Sequence, residues 1–334
     1  MPSRLLSALL LALFVGALLV SAPAHPFGAE ARRYVRVAGW SPVPVPGGPE
    51  WEMGGVTVSR DGKKLVLAHR ADPPIVDVEP RTGRITRSWG AAMLVWPHSL
   101  MLDGEGNLWV ADAAVGSGGA SGLNPPIPSA VAAGRGHQIL KYSRDGRLLL
   151  TLGTAGQAGT DATHFNAPTA VAIGDHGDIF VSDGHGGTTN ARVVVFDTHG
   201  RFLRTWGTRG AGPGQFGEPH SLVIDKRGRV IVADRTNGRL EVFDQQGRFL
   251  TEWKTFGLRP SGLALGPDDT IYVSSHDART HEERITIGRA DTGAVIEVID
   301  GALEGIDGIA VDGRGTIYAV SATGHAVAKY ERSK

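Results

Sequence analysis

Two histidines in this chain sit in the same tetrapeptide, Pro97-His98-Ser99-Leu100 and Pro219-His220-Ser221-Leu222. Each stands eight residues before a glycine, Gly106 or Gly228, and Asp307 stands eight before Gly315. Two imidazoles and a carboxylate form a donor set for a divalent metal such as zinc or iron, with positions left open for a substrate. Counting eight residues forward from Gly62 and Gly177 gives Arg70 and His185. A guanidinium can clamp a carboxylate through two parallel hydrogen bonds. An imidazole titrates near neutral pH and can take a proton.

These positions share a register because the chain repeats. From Pro219 to Asp244 the sequence PHSLVIDKRGRVIVADRTNGRLEVFD reads as three short strands joined by turns, and RFLTEW adds a fourth. A single four-stranded sheet cannot bury both of its faces, whereas copies arranged radially can, which is a propeller. Six copies are anchored on Gly62, Gly106, Gly177, Gly228 and Gly315, with Asp269 in the fifth. The expected fold is therefore all-β, a six-bladed β-propeller over 33–331, with blades at 54–90, 97–153, 168–207, 219–255, 260–300 and 306–331. The last copy has no fourth strand of its own, and RYVRVAGW at 33–40 is expected to supply it and close the ring. In such a ring His98, His220 and Asp307 come from alternate blades and converge on the axis. Insertions at 113–136, 184–190 and 275–283, with long links at 153–167 and 207–218, all fall at the end where the inner strands start. That decorated face is where a site on a rigid scaffold is expected.

Composition narrows the partners. Net charge is zero over 334 residues, which argues against a nucleic-acid partner, since phosphate binding needs a basic surplus. No cysteine is present, so disulfides and thiolate metal sites are excluded. Arg4, the apolar run from Leu5 to Val20 and Ala22-Pro23-Ala24 predict an export signal over 1–24. The remainder is then periplasmic or secreted, with no stable membrane insertion after cleavage.

The segment GAGPGQFGEPHSLVIDKRGRVIVADRTNGRLEVFD resembles the NHL repeat. With LAHR (67–70), WPHSLMLDGEGNLWVADA (96–113) and VSDGHGGTTNARVVVF (181–196), the order of motifs is similar to peptidyl-α-hydroxyglycine α-amidating lyase and its bacterial relatives, from about Val37 to the C-terminus. That resemblance implies a six-bladed propeller of NHL-type blades. It also implies zinc held by histidines in the funnel, and cleavage of a peptidyl-α-hydroxyglycine to a peptide amide and glyoxylate. It maps two zinc ligands onto His98 and His220 and a substrate-site arginine onto Arg70. A structural calcium bound partly by backbone carbonyls would map onto Val56 and Leu100. Two departures stand out. The family's third ligand is a histidine followed by aspartate, where this chain has Asp307-Gly308, which adds a negative ligand and removes a calcium ligand. Its tyrosine is replaced by His185, an imidazole that can still act as a base near neutral pH. The substrate is expected to be a peptide or small molecule. Two other readings fit the same scaffold: a non-catalytic NHL propeller that binds a peptide or protein, and a lactonase-like metal-dependent hydrolase.

Overall fold

In blades 2, 4 and 6 the turn from inner to second strand is built by an aspartate and a glycine with positive φ. Asp225 Oδ1 accepts the N–H groups of Arg227 (2.9 Å) and Arg229 (2.8 Å), and Gly228 takes φ 74° to complete the turn. Asp103 and Asp312 do the same in their blades. The turn returns the chain antiparallel, and the β-branched residues after it continue the sheet.

The computed structural model describes residues 33–42, 52–113, 134–277, 279–323 and 326–333. The expected export signal at 1–24 and most of the insertion at 113–136 lie outside these residues. No helix among the described residues is long and apolar enough to cross a membrane.

Six four-stranded antiparallel sheets form the blades. From inner to outer edge, blade 1 is Met53–Val58, Leu65–His69, Ile75–Val78 and Ile85–Trp89. Blade 2 is Pro97–Leu102, Leu108–Asp112, Gln138–Tyr142 and Leu148–Leu152. Blade 3 is Pro168–Ile173, Ile179–Asp183, Arg192–Phe196 and Phe202–Trp206. Blade 4 is Pro219–Ile224, Val230–Asp234, Arg239–Phe243 and Phe249–Trp253. Blade 5 is Pro260–Leu265, Thr270–Asp277, Glu282–Arg289 and Val295–Asp300. Blade 6 is Ile306–Val311, Ile317–Ser321 and Val327–Arg332, with Tyr34–Arg36 as its outer strand. Tyr34 pairs with Arg332 and Arg36 with Tyr330, so the N-terminal strand closes the ring as expected.

Between neighbouring blades lies a wedge of apolar side chains. Between blades 3 and 4 it holds Phe180, Val193, Phe216, Leu222, Val232 and Phe243, all buried. At roughly 1.5–3 kcal/mol per large side chain taken from water, each wedge is a substantial store of stability. Second strands such as Leu108–Asp112 are buried along their whole length because both faces are covered. The insertion expected at 275–283 is a lengthening of blade 5, whose second and third strands run to eight residues each.

The links between blades are tied down by arginines at the start of third strands. Arg192 pairs with buried Asp183 (2.8 Å) and donates to the carbonyls of Thr160, Asp161 and His164. Arg239 repeats this in blade 4 with Asp234 (3.0 Å) and the carbonyls of Ala211, Gly212 and Gln215. The Gly-rich links are thereby fixed in place around the rim of the funnel.

Candidate metal centre

All six inner strands carry a bulge at their first turn of register. Pairing slips between Pro97 and Ser99, between Pro219 and Ser221, and between Ile306 and Gly308, and the other three blades slip at the same place. One residue inside each slip, or two in blade 5, has no partner in the second strand, and a bulge re-aims its side chain. Those residues include His98, His220 and Asp307, which is why counting back from the turn glycine singles them out. In blade 1 the same place is Gly54, where an added Cβ would come 1.9 Å from the carbonyl oxygen of Pro97. No ligand-bearing residue fits there.

The bulge also supplies the tautomer. His98 Nδ1 lies 2.7 Å from the Thr169 carbonyl oxygen, and His220 Nδ1 lies 3.3 Å from that of Ser261. A carbonyl can only accept, so both Nδ1 atoms carry the proton and both Nε2 atoms present a lone pair to the axis. His98 Nε2 is buried with no hydrogen-bond partner. His185, in the loop after the second strand of blade 3, joins them. Ring centroids are 4.6 Å apart for His98 and His220, 4.9 Å for His98 and His185, and 5.3 Å for His185 and His220. One donor atom from each of these three histidines lies within 4.8 Å of the others. An orphaned buried lone pair and three converging imidazoles suit a zinc-type ion. Burial first, then neighbouring charge, holds all three rings below the ordinary histidine pKa, His98 at about 4. They are neutral, as ligands must be, at neutral pH.

Asp307 shares the bulge position but is engaged differently. Its Oδ1 lies 3.6 Å from His220 Nε2 and 3.3 Å from Arg235 Nη1. Burial pushes its carboxyl up, and Arg235, His98, His185 and Arg70 together outweigh burial and hold it below the usual carboxylate value. The sequence register made Asp307 the third ligand and His185 the base. The structure instead groups His185 with His98 and His220, and sets Asp307 beside them against an arginine.

Arg70 lies at the rim as expected. It pairs with Glu52, and its guanidinium stacks 3.8 Å over the Trp96 ring. Burial lowers its pKa to about 9. Trp96 in turn meets the rings of His185 (5.1 Å) and His98 (5.5 Å).

Arg235 was not singled out by the sequence. It donates to His220 Nε2 (2.5 Å), and its Nε lies 3.6 Å from buried Glu218. The N–H of Arg235 bonds the Glu218 carbonyl, and the N–H of Arg70 bonds that of Glu52. Arg70 and Arg235 are therefore register equivalents, from blades 1 and 4, facing each other across the ring. Turn length hid this: two lysines, Lys63 and Lys64, separate Gly62 from its strand, whereas Arg229 alone follows Gly228. A count back from strand pairing, rather than forward from the glycine, would have found Arg235.

Below the histidines an axial cavity of about 490 Å³ runs toward the turn side, lined by His98, His220 and Asp307 near one end and by Asp103 and Gly104 at the other. Val56 and Leu100, the positions expected to offer carbonyls to calcium, both line it, beside Gly308.

A family model described as a 6-bladed beta-propeller matches residues 160–255. Peptidylglycine α-amidating monooxygenase of Rattus norvegicus is 34% identical over 186 residues, 52% of this chain and 16% of the relative. Peptidyl-α-hydroxyglycine α-amidating lyase 1 of Drosophila melanogaster is 34% identical over 136 residues, 40% of this chain and 20% of that protein. NHL repeat-containing protein 3 of Homo sapiens is 33% identical over 177 residues, covering 51% and 46%. The matched region thus spans 16% of the length of the vertebrate amidating monooxygenases and less than half of the NHL relative. Among solved structures, virginiamycin B lyase of Staphylococcus aureus superposes with a TM-score of 0.56 at 15% identity, over 90% of this chain and 99% of that one. That likeness speaks for the propeller fold alone. This chain is a six-bladed β-propeller whose sequence is similar to NHL-repeat proteins and to peptidyl-α-hydroxyglycine α-amidating lyases.

Proposed function

We propose that the protein is an exported, metal-dependent lyase that cleaves a peptidyl-α-hydroxyglycine to a peptide amide and glyoxylate. The observation that carries this is the convergence of His98, His185 and His220 with donor atoms within 4.8 Å, on a scaffold similar to amidating lyases. These three residues would hold a divalent ion, zinc being best suited to neutral imidazoles. A cation there supplies Lewis acidity, lowering the pKa of the substrate's α-hydroxyl.

The chain's own residues do the rest. Arg70 and Arg235, on opposite sides of the histidines, flank the substrate carboxylate and orient it. Arg235 must then leave His220 Nε2, on which it rests here. Asp307, held ionised by Arg235, takes the hydroxyl proton. The C–N bond breaks with its electron pair moving to nitrogen, the amide nitrogen receives the proton, and the former carbinol carbon becomes the aldehyde of glyoxylate. Trp96 and the neighbouring rings exclude water from this step.

The test is metal content of the purified protein beside His220→Ala, with glyoxylate release from an α-hydroxyglycine peptide. About one zinc per chain, lost in the variant, with glyoxylate released by the wild type, is the expected result. Absence of metal from both folded proteins would sink the reading. Roles within the site separate further. Asp307→Asn keeps the metal and loses turnover, whereas His185→Gln loses the metal; the reverse pattern would return Asp307 to the ligand set and His185 to the base. A second reading, a peptide-binding propeller without turnover, is favoured by Arg235 occupying the His220 lone pair. It expects no stoichiometric metal.

A further inference from the structure

The residues standing immediately before the six inner strands are Glu52, Trp96, Ala167, Glu218, Arg259 and Gly305. In blades 1 and 4 this place holds a glutamate that neutralises a rim arginine. In blade 5 it holds a cation. The backbone of Arg259 is pinned: its N–H donates to Ser275 Oγ (3.2 Å), and its carbonyl accepts from Ser261 Oγ (3.3 Å). Ser261 in turn offers its own carbonyl to His220. The Arg259 side chain therefore departs from a point two residues away from a group that orients a candidate ligand.

Among the described residues the half-buried Arg259 guanidinium has no hydrogen bond or ion pair. The carboxylates whose fields reach it are committed elsewhere, Glu218 to Arg235 (3.6 Å) and Asp277 to Arg279 (3.0 Å). The charges of Arg235 and, more weakly, Arg279 add to burial in disfavouring the protonated form of Arg259. Two guanidinium groups in one another's field at a funnel mouth, one without a counter-ion, form a place for an anion.

We infer that Arg259 is a specificity residue that receives a second anionic group of the substrate, an acidic side chain next to the reacting residue, while Arg70 and Arg235 flank the terminal carboxylate. The inference rests on the peptidyl substrate proposed above. It makes the preferred substrate a peptide ending in Asp or Glu before the α-hydroxyglycine.

The test compares N-acetyl-Glu-α-hydroxyglycine with N-acetyl-Gln-α-hydroxyglycine on the zinc-loaded protein. A charge-assisted pair at a half-buried site predicts a preference of roughly tenfold in kcat/KM for the acidic peptide. Arg259→Gln should remove that preference by losing on the acidic peptide alone, and Arg259→Glu should reverse it. Arg289→Gln, an exposed arginine on the same blade that pairs with Asp291 (2.9 Å), should leave it intact. Equal rates in the wild type, or a preference surviving Arg259→Gln, would overturn the inference. Unreactive N-acetyl-Glu-Gly and N-acetyl-Gln-Gly, titrated by calorimetry, give the same comparison without chemistry. If no glyoxylate forms from either substrate the lyase reading fails, yet the calorimetric preference and its loss in Arg259→Gln still decide Arg259. Equal affinity for the two, or no binding of either, counts against it.

Discussion

Arg70 and Arg235 occupy the same register on opposite sides of one funnel, and they are held in different ways. Arg70 pairs with Glu52 and lies over the face of Trp96. Arg235 divides its contacts among Glu218, Asp307 and the Nε2 of His220. One is a fixed wall of the site, and the other is coupled to the group that would bind metal. Equivalence in a repeat therefore fixes where a side chain starts, while its neighbours from adjacent blades decide what it does.

Acid separates the two most strongly. In metal-free protein the folded-state pKa of His98 is about 4 against an ordinary value of 6.5. Its contribution to stability is present above pH 6.5 and is lost as pH falls toward 4, by ~3 kcal/mol for this group. Denaturant titrations at stepped pH should show that loss. Arg235 is among the main charges depressing all three histidines, and Arg70 among those at His98 only. Arg235→Gln should therefore flatten the acid limb more than Arg70→Gln does, and equal slopes would remove the asymmetry. In turnover each substitution should lower kcat/KM for an α-hydroxyglycine peptide by about 100-fold, ~2.7 kcal/mol, if both flank the carboxylate. An effect confined to Arg70 would make Arg235 a partner of the metal site alone. Zinc affinity should move the other way: Arg235→Gln tightens it by roughly tenfold through releasing His220 Nε2, and Arg70→Gln leaves it within about twofold. Competition with a chromophoric chelator reads this directly. Smallest is Trp96→Leu, which removes the stacking under Arg70 at about 1 kcal/mol and should leave zinc affinity unchanged.

The propeller was legible because its signals are local and repeated. Aspartate–glycine turns, β-branched runs and a missing last strand all report on short stretches of chain, and Tyr34–Arg36 pairs where the deficit in blade 6 required. The geometry of the candidate site was legible only in part. His98 and His220 were found because the bulge lies at a fixed distance from the turn glycine. Arg235 was missed because an extra lysine in blade 1 shifts a forward count by one residue. That His185 stands with His98 and His220 while Asp307 faces Arg235 could not be read from spacing. It depends on how far a loop after blade 3 leans over the axis, and on Arg235 drawing the Asp307 carboxylate toward itself. Similarly, Arg192 and Arg239 look like ordinary strand residues in sequence, yet they fix the glycine-rich links through carbonyls about 30 residues upstream.

The pairing of Tyr34–Arg36 with Val327–Arg332 also sets a clock for biosynthesis. Among the described strands, the outer strand of blade 6 is the first to be made and its partner the last. At about 5–20 residues per second, roughly 15–60 s separate their appearance. Throughout that interval the early strand keeps an open edge, with Val35 uncovered, and the blade bearing Asp307 does not yet exist. His98, His185 and His220 are synthesised well before the ring that encloses them can shut. An ion held by these three histidines would be enclosed only once Tyr34–Arg36 pairs with Val327–Arg332.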